Sequence, residues 1–429
     1  MLKARNHVKR LLLMLLALAF ILSTAFYIYR LHVRSSGIVK ISTSAQFPKG
    51  FPWNLQLLSR PPKVTWLNKT GKIKSLYYEG LPYQGEKTDV FAYYATPGSI
   101  NGDLSKDHNL PGIVIVHGGC QAADKSVVNL WAQRGYAAIS MDLDGHGPAH
   151  KRLRNAGPPA EAYMSYDWNY HAIAKIILAH SLLLSFPAID KSRTGIVGLS
   201  VGGHLTCIVA GIDNRFKAAA SVYGTGFIYK KGFFRQWYQG ILEDQRPGRE
   251  GLSPEEQRVW RDLIDPSNYL KNISCPFLFA GNPNDKYYPL AIRIKSYEQV
   301  KGPCYLYIDP SLQHSNVGHF LYILKSFFDQ YLKAGPPLPV LHKIEKKGDK
   351  LYVRSSDVKK GHSAYVYFTT DAGPYDNRKW RIYTARIDQD GIEADLPPDN
   401  TVACFVNYLV NEHVIISSKV LIMNQSFLQ

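Results

Sequence analysis

The chain has 429 residues, more than one compact domain usually holds, and a hydrophobic content of 45% excludes a disordered polymer. Its net charge of +17 comes from 51 Lys and Arg against 34 Asp and Glu spread along the sequence; without a basic stripe or a recognisable module, nucleic-acid binding is excluded and a preference for anionic surfaces remains. The five cysteines, Cys120, Cys207, Cys275, Cys304 and Cys404, are odd in number and lack a C-x-x-C pair, so neither a zinc site nor a disulfide framework is expected.

In chain order, residues 1–36 read as an export element. "MLKARNHVKR" carries four Lys and Arg ahead of the apolar run "LLLMLLALAFILSTAFYIY" at residues 11–29. Its 19 residues are close to the roughly 20 that span a bilayer, with the basic flank on the cytoplasmic side. The 12-residue core Leu11–Leu22 and the "STA" that follows it also fit a cleaved signal peptide. Signal anchor and signal peptide both stay open. Either makes the remainder extracytoplasmic, and the anchor would make the membrane a partner through this segment.

Residues 37–335 change pattern once. "KVTWL", "IKSLYYEGL" and "VFAYYATP" are Tyr- and Val-rich runs between turn residues, which predicts antiparallel ribbons. Beyond the polar loop "SINGDLSKDHNL" come short apolar runs separated by helix-length segments: "GIVIVH", "AAISMDL", "GIVGL", "KAAASVY", "PFLFAG" and "CYLYID". Ile173, Ile176, Ile177, His180 and Leu184 recur at helical spacing between them. Strands that alternate with helices predict an α/β domain whose central sheet is mostly parallel and covered on both faces. An insertion at about 224–270, aromatic and basic in its first half, is placed to cap the carboxyl edge of that sheet, with Phe227, Phe233, Phe234 and Trp237 either lining a specificity pocket or packing on one another.

At "AGPPLP", near residue 335, the pattern changes again. Residues 336–429 read as strands alone, in "KLYVRSS", "SAYVYFTTD", "KWRIYTARI", "TVACFVNYLV" and "VIISSKVLI", the rhythm of a small all-β sandwich.

The chemistry centres on "GLSVGG" at 198–203. Ser200 stands where an apolar strand ends and a helix begins, the setting of a nucleophile elbow, and Gly198 and Gly202 remove side chains where the turn is tight. A serine hydroxyl needs a base. Asp285 follows "PFLFAG" and His314 follows "CYLYID", so acid and base are expected on successive strand ends in the order Ser200, Asp285, His314. His319, at the predicted start of the helix "HFLYILKSFFDQYL", competes as base but ranks behind His314. An oxyanion hole is expected from the amide of Val201 with those of Gly119 or Cys120, since "VIVHGGC" ends a strand in an HGG turn. Asp213 and Arg215 in "DNRF" are expected to pair across a turn and hold the next strand. Every candidate catalytic residue precedes residue 335, so a cut near Gly335 is expected to spare activity on small esters.

The segments "VIVHGG", "MDLDGHGP", "GIVGLSVGGH", "GIDNRFKAAASVYGTGF" and "GNPNDKYYP" resemble the α/β-hydrolase superfamily, and within it the acetylxylan esterase and dienelactone hydrolase-like group, over about residues 75–335. "TTDAGPYDNRKW" resembles the sandwich appended to some members. The resemblance implies a Ser-His-Asp triad that hydrolyses carboxylic esters without metal or cofactor, acting on a small or carbohydrate ester. The same triad would serve a serine peptidase or acyltransferase. A non-catalytic glycan-binding or adhesion protein is the reading from a different class.

Overall fold

The computed structural model describes residues 38–143, 168–229 and 254–427, apart from 43, 84, 120, 356, 360–361 and 425–426. The apolar run at 11–29 and most of the predicted cap, with Phe233, Phe234 and Trp237, lie outside the described residues. Among the described residues no helix is long and apolar enough to cross a membrane.

The ribbons come first, as β1 (Val64–Asn68), β2 (Lys74–Glu79) and β3 (Asp89–Ala95), paired antiparallel in that order. β3 then pairs antiparallel with β5 (Ala137–Met141), which opens a parallel array β5-β4-β6-β7-β8-β9, with β4 (Leu110–Val116), β6 (Ile189–Leu199), β7 (Ala218–Val222), β8 (Phe277–Gly281) and β9 (Cys304–Ile308). β5, β7 and β8 are buried at every residue, which is why their sequences are continuous apolar runs without alternation.

Helices cover both faces. α1 (Lys125–Gln133), capped by the Asp124 carboxylate on the amides of Ser126 and Val127, shares a face with α5 (Tyr322–Leu332), where Trp131 meets Phe328 edge-on at 5.4 Å. α2 (Trp168–Leu183) and α3 (Val201–Ile212) pack on each other over the other face, and α4 (Leu290–Gln299) links β8 to β9. The sheet and its helices are those of an α/β-hydrolase.

The C-terminal strands are antiparallel throughout. β12 (Ser363–Thr369) pairs with β13 (Arg381–Ile387) and β15 (Ala403–Asn411), and β15 pairs with β16 (Val414–Ser417) and β17 (Leu421–Ile422). β11 (Lys350–Arg354) pairs with β10 (Ile344–Lys347) and β14 (Gly391–Asp395), and β14 also reaches β13. "VIISSKVLI" was expected as one strand and is two, β16 and β17, because Ser418 leaves the ladder: its amide bonds the Val406 carbonyl and its hydroxyl accepts from the Val406 amide. β16 also meets the outer edge of β9, Ser417 opposite Leu306, so the antiparallel strands continue the main sheet.

Among the described residues Cys207, Cys275, Cys304 and Cys404 are free thiols.

Candidate active site

Ser200 follows β6 directly and precedes α3, with φ 57° and ψ −117°. Such a conformation costs a non-glycine residue about 1–3 kcal/mol and persists only when its surroundings hold it. They do. The Ser200 amide donates to the Val222 carbonyl at 2.8 Å, and its carbonyl accepts from the His204 amide at 3.0 Å. The flanking glycines are required by close approach. A Cβ on Gly198 would sit 2.1 Å from the Gly202 carbonyl oxygen, and one on Gly202 would sit 2.4 Å from the carbonyl oxygens of Val116 and His117.

The serine hydroxyl points to the next strand ends. Its Oγ lies 2.8 Å from His314 Nε2, and His314 Nδ1 lies 2.8 Å from Asp285 Oδ2. The second carboxylate oxygen of Asp285 accepts from the amides of Tyr287 and Tyr288, both at 2.9 Å, so the buried carboxylate is held from two sides. With Nδ1–H given to Asp285, Nε2 is free to accept the proton of Ser200 Oγ. The His314 side chain keeps 19% of its surface exposed, enough for a substrate to reach it.

Two residues that sequence reasoning passed over complete this arrangement. Tyr223, at the carboxyl end of β7 with φ 68°, stacks on the His314 ring at 4.2 Å, and its hydroxyl donates to the Gln313 carbonyl at 2.6 Å. Arg293 of α4 is fully buried and donates to the carbonyls of Asn282, Tyr223 and Tyr288 at 2.9, 3.4 and 3.4 Å. Burial pushes its guanidinium down and Asp285 pulls it back up, so a cation sits behind the carboxylate. A strand-end position was the available signal for Tyr223. Arg293 had none, since an arginine within a helix reads as a solvated side chain.

His319 does not reach Ser200. The helix begins at Tyr322, and His319 lies in a preceding 3-10 turn, Asn316–Phe320, where it is 3% exposed and burial pushes its imidazole down to about 4. The predicted helix start was wrong because Leu321 is extended, with ψ 128°, and separates turn from helix.

The HGG turn faces the elbow. Leu143 N–H donates to His117 Nε2 at 3.0 Å, which leaves the Nδ1–H to bond the Gly118 carbonyl at 2.6 Å and shape the turn. The Gly118 amide donates to Gln121 Oε1 at 3.1 Å, and Gln121 Nε2 donates to Asn316 Oδ1 at 2.6 Å, joining this turn to the His314 loop. The Gly118 amide is thus engaged, while Val201, an expected oxyanion donor, is the first residue of α3 and stands at its positive end. Cys120 lies outside the described residues.

The Asp213–Arg215 pair forms as expected: Nε and the terminal amino group of Arg215 reach the two Asp213 oxygens at 2.7 and 2.6 Å. His180 joins it, with Nδ1 2.8 Å from Asp213 Oδ2 and Nε2 2.9 Å from Thr194 Oγ1. Among the described residues no group of three His, Cys, Asp or Glu could hold a metal ion.

Residues 122–335 match the model of the prolyl oligopeptidase family. Among solved structures the chain is similar to an acetyl xylan esterase from Paenibacillus sp. R4, with TM-score 0.50 and 21% identity over 65% of this chain and 92% of that one. It is similar also to acetyl xylan esterase 1 from Thermoanaerobacterium sp. JW/SL YS485, with TM-score 0.52 and 18% identity over 67% and 96% of the two chains. An acylaminoacyl peptidase from Pyrococcus horikoshii matches 62% of this chain and 43% of its own length, with TM-score 0.47 and 20% identity. At these identities the likeness to solved structures is one of fold.

Proposed function

We propose that this chain, which has the fold of an α/β-hydrolase, is an exported serine esterase that works through an acyl-enzyme and removes acetyl groups from a carbohydrate. One observation carries the reading: the unbroken hydrogen-bonded path from Asp285 through His314 to Ser200 Oγ, whose members follow β8, β9 and β6.

Ser200 Oγ attacks the ester carbonyl carbon while His314 Nε2 takes its proton. Asp285 holds the imidazole in the tautomer that accepts at Nε2 and stabilises the imidazolium that forms. The tetrahedral oxygen, now negative, is held by the Val201 amide and those of Gly119 and Cys120. His314 then gives its proton to the departing alkoxide, the acyl group stays on Ser200, and water activated by the same imidazole releases the acid. The N-terminal apolar segment exports the chain and either anchors it or is removed.

A fluorophosphonate probe tests this. It should label the parent at Ser200 and leave Ser200→Ala unlabelled, and acetyl esters should turn over faster than longer acyl esters or peptides. An unlabelled parent would refute the serine mechanism. The prolyl oligopeptidase match favours a second reading, peptide hydrolysis by the same triad, and faster cleavage of peptides in this screen would establish it.

A further inference from the structure

The loop that carries Asp285 is fastened from outside the hydrolase. Its two chain neighbours, Asn284 and Lys286, both bond to residues 375–380, between β12 and β13 of the C-terminal region. Trp380 Nε1–H donates to Asn284 Oδ1 at 2.8 Å, and Asn284 Nδ2 donates to the Arg378 carbonyl at 2.5 Å. The Tyr375 hydroxyl donates to the Lys286 carbonyl at 3.0 Å. Partial burial, with the charges of Asp376 and Asp285, pushes that phenol up to about 12, which keeps it a donor near neutral pH.

The fastening segment is itself braced. Buried Arg378 donates to the carbonyls of Gly373 and Phe427, both at 3.1 Å, and lies over the Phe427 ring at 4.3 Å. Trp380 packs on Phe405 at 5.1 Å.

The strand that leads to His314 is held by the same region. The Ile308 amide donates to Ser417 Oγ at 2.8 Å, the Ile308 carbonyl accepts from Asn407 Nδ2 at 2.9 Å, and Ser417 Oγ donates to Asn407 Oδ1 at 2.6 Å, all of it buried. Asn282 Nδ2 then bonds the carbonyls of Pro310 and Leu312 at 3.0 and 2.9 Å, tying the acid loop to the base loop. Loops at strand ends have little else to fix them, and paired side-chain amides set direction as well as distance.

We propose that the C-terminal β region is a positioning element of the active site, in which Tyr375 and Trp380 hold the Asp285 loop while Asn407 and Ser417 hold the strand that delivers His314. The proposal rests on the esterase reading above and replaces the expectation that a cut near Gly335 spares small-ester activity. These residues touch no substrate and act through the acid–base pair. A region that only gathered polymeric substrate would leave small esters untouched.

The test uses the full chain and p-nitrophenyl acetate, with kcat expressed per site titrated to completion by a fluorophosphonate. Tyr375→Phe loses only its hydroxyl donor, and Trp380→Phe replaces the indole and its N–H donor by a smaller aromatic ring that still faces Phe405. The double variant should lose between about tenfold and about a hundredfold in kcat, as sub-ångström misplacement of reacting groups does, with KM unchanged. Trp380→Phe added to Asn284→Ala should cost nothing further, because both cut one link. A double variant with fewer titratable sites but parental kcat per site would reduce the region to a structural support and overturn the proposal, as would parental kcat with all sites intact. A parent that the probe does not label fails the esterase reading itself, an outcome distinct from a labelled parent with indifferent variants.

Discussion

Two Asp–His–hydroxyl chains run through this protein with nearly the same distances. Asp285, His314 and Ser200 are joined at 2.8 and 2.8 Å; Asp213, His180 and Thr194 at 2.8 and 2.9 Å. Each imidazole has an aromatic ring stacked on it, Tyr223 at 4.2 Å and Phe216 at 3.6 Å. Both hydroxyls even come from one strand, Thr194 within β6 and Ser200 just past its end. Only one of the two can do chemistry. Thr194 and His180 are fully buried, so no substrate reaches them. Burial works to raise the Asp213 carboxyl, but Arg215 and His180 outweigh it and hold it well below the usual carboxylate range. Burial likewise pushes His180 down to about 4 against the pull of Asp213. Hydrogen-bond geometry alone therefore makes a strut. Access and a forced turn set the other chain apart: the His314 side chain is 19% exposed and Ser200 is held at φ 57°.

Substitution at the two hydroxyls separates the chains most sharply. Ser200→Ala should lower ester turnover by about 10⁴-fold or more while leaving the unfolding midpoint in place, since the turn depends on its glycines. Thr194→Val should leave kcat per titrated site unchanged. A Ser200→Ala protein with most of its activity would break the comparison at its centre. The two imidazoles come next: His314→Ala should match Ser200→Ala, and the double variant should be no worse than either, because members of one triad act as a unit.

At the carboxylates the expected effect moves from activity to stability. Asp213→Asn leaves Arg215 buried without its partner and should cost about 3–5 kcal/mol in urea unfolding, with turnover per folded molecule intact. Parental stability in that variant would show that the buried chain is no strut.

A smaller effect separates the histidines by pH. His180 and His319 are pushed by burial down to about 4 and His204 to about 3, from 6.5 in the unfolded chain. The unfolded chain therefore binds more protons below 6.5, so the stability these groups contribute is complete above 6.5 and is lost as pH falls towards 4. The unfolding midpoint should drop across that window, and His319→Asn should flatten the drop while costing less than about tenfold in kcat. A midpoint independent of pH would mean that these imidazoles are already charged in the fold.

The working chain was legible in the sequence because each member occupies the end of an apolar run, and apolar runs in a parallel sheet announce themselves. Ser200, Asp285 and His314 follow β6, β8 and β9 in that order. The strut was half legible: Asp213 and Arg215 are two residues apart and pair locally, whereas His180 is 33 residues from Asp213 and reads only as one buried position of a helix. β10 and β14 escaped for a different reason. "IEKK" is an edge strand defended by charge and "GIEAD" is short and acidic, so neither carries the β-rich pattern that marks a strand. Contacts from Trp380 to Asn284 span 96 residues, and nothing in either local sequence points to the other.

The nucleophile helix α3 has a front and a back. Ser200 stands before its first turn, and Asp213 follows its last, beyond a helix of 12 residues that is about 18 Å long. At that far end Arg215 holds the Val39 carbonyl at 3.1 Å, and Asn214 accepts the Ser42 amide at 2.9 Å. Residues 39–42 are therefore held at the rear of the hydrolase. One helix thus divides two duties: its front meets whatever reaches Ser200, and its back is occupied by the body's own chain, so changes at residues 39 and 42 bear on the fold at a distance from the chemistry.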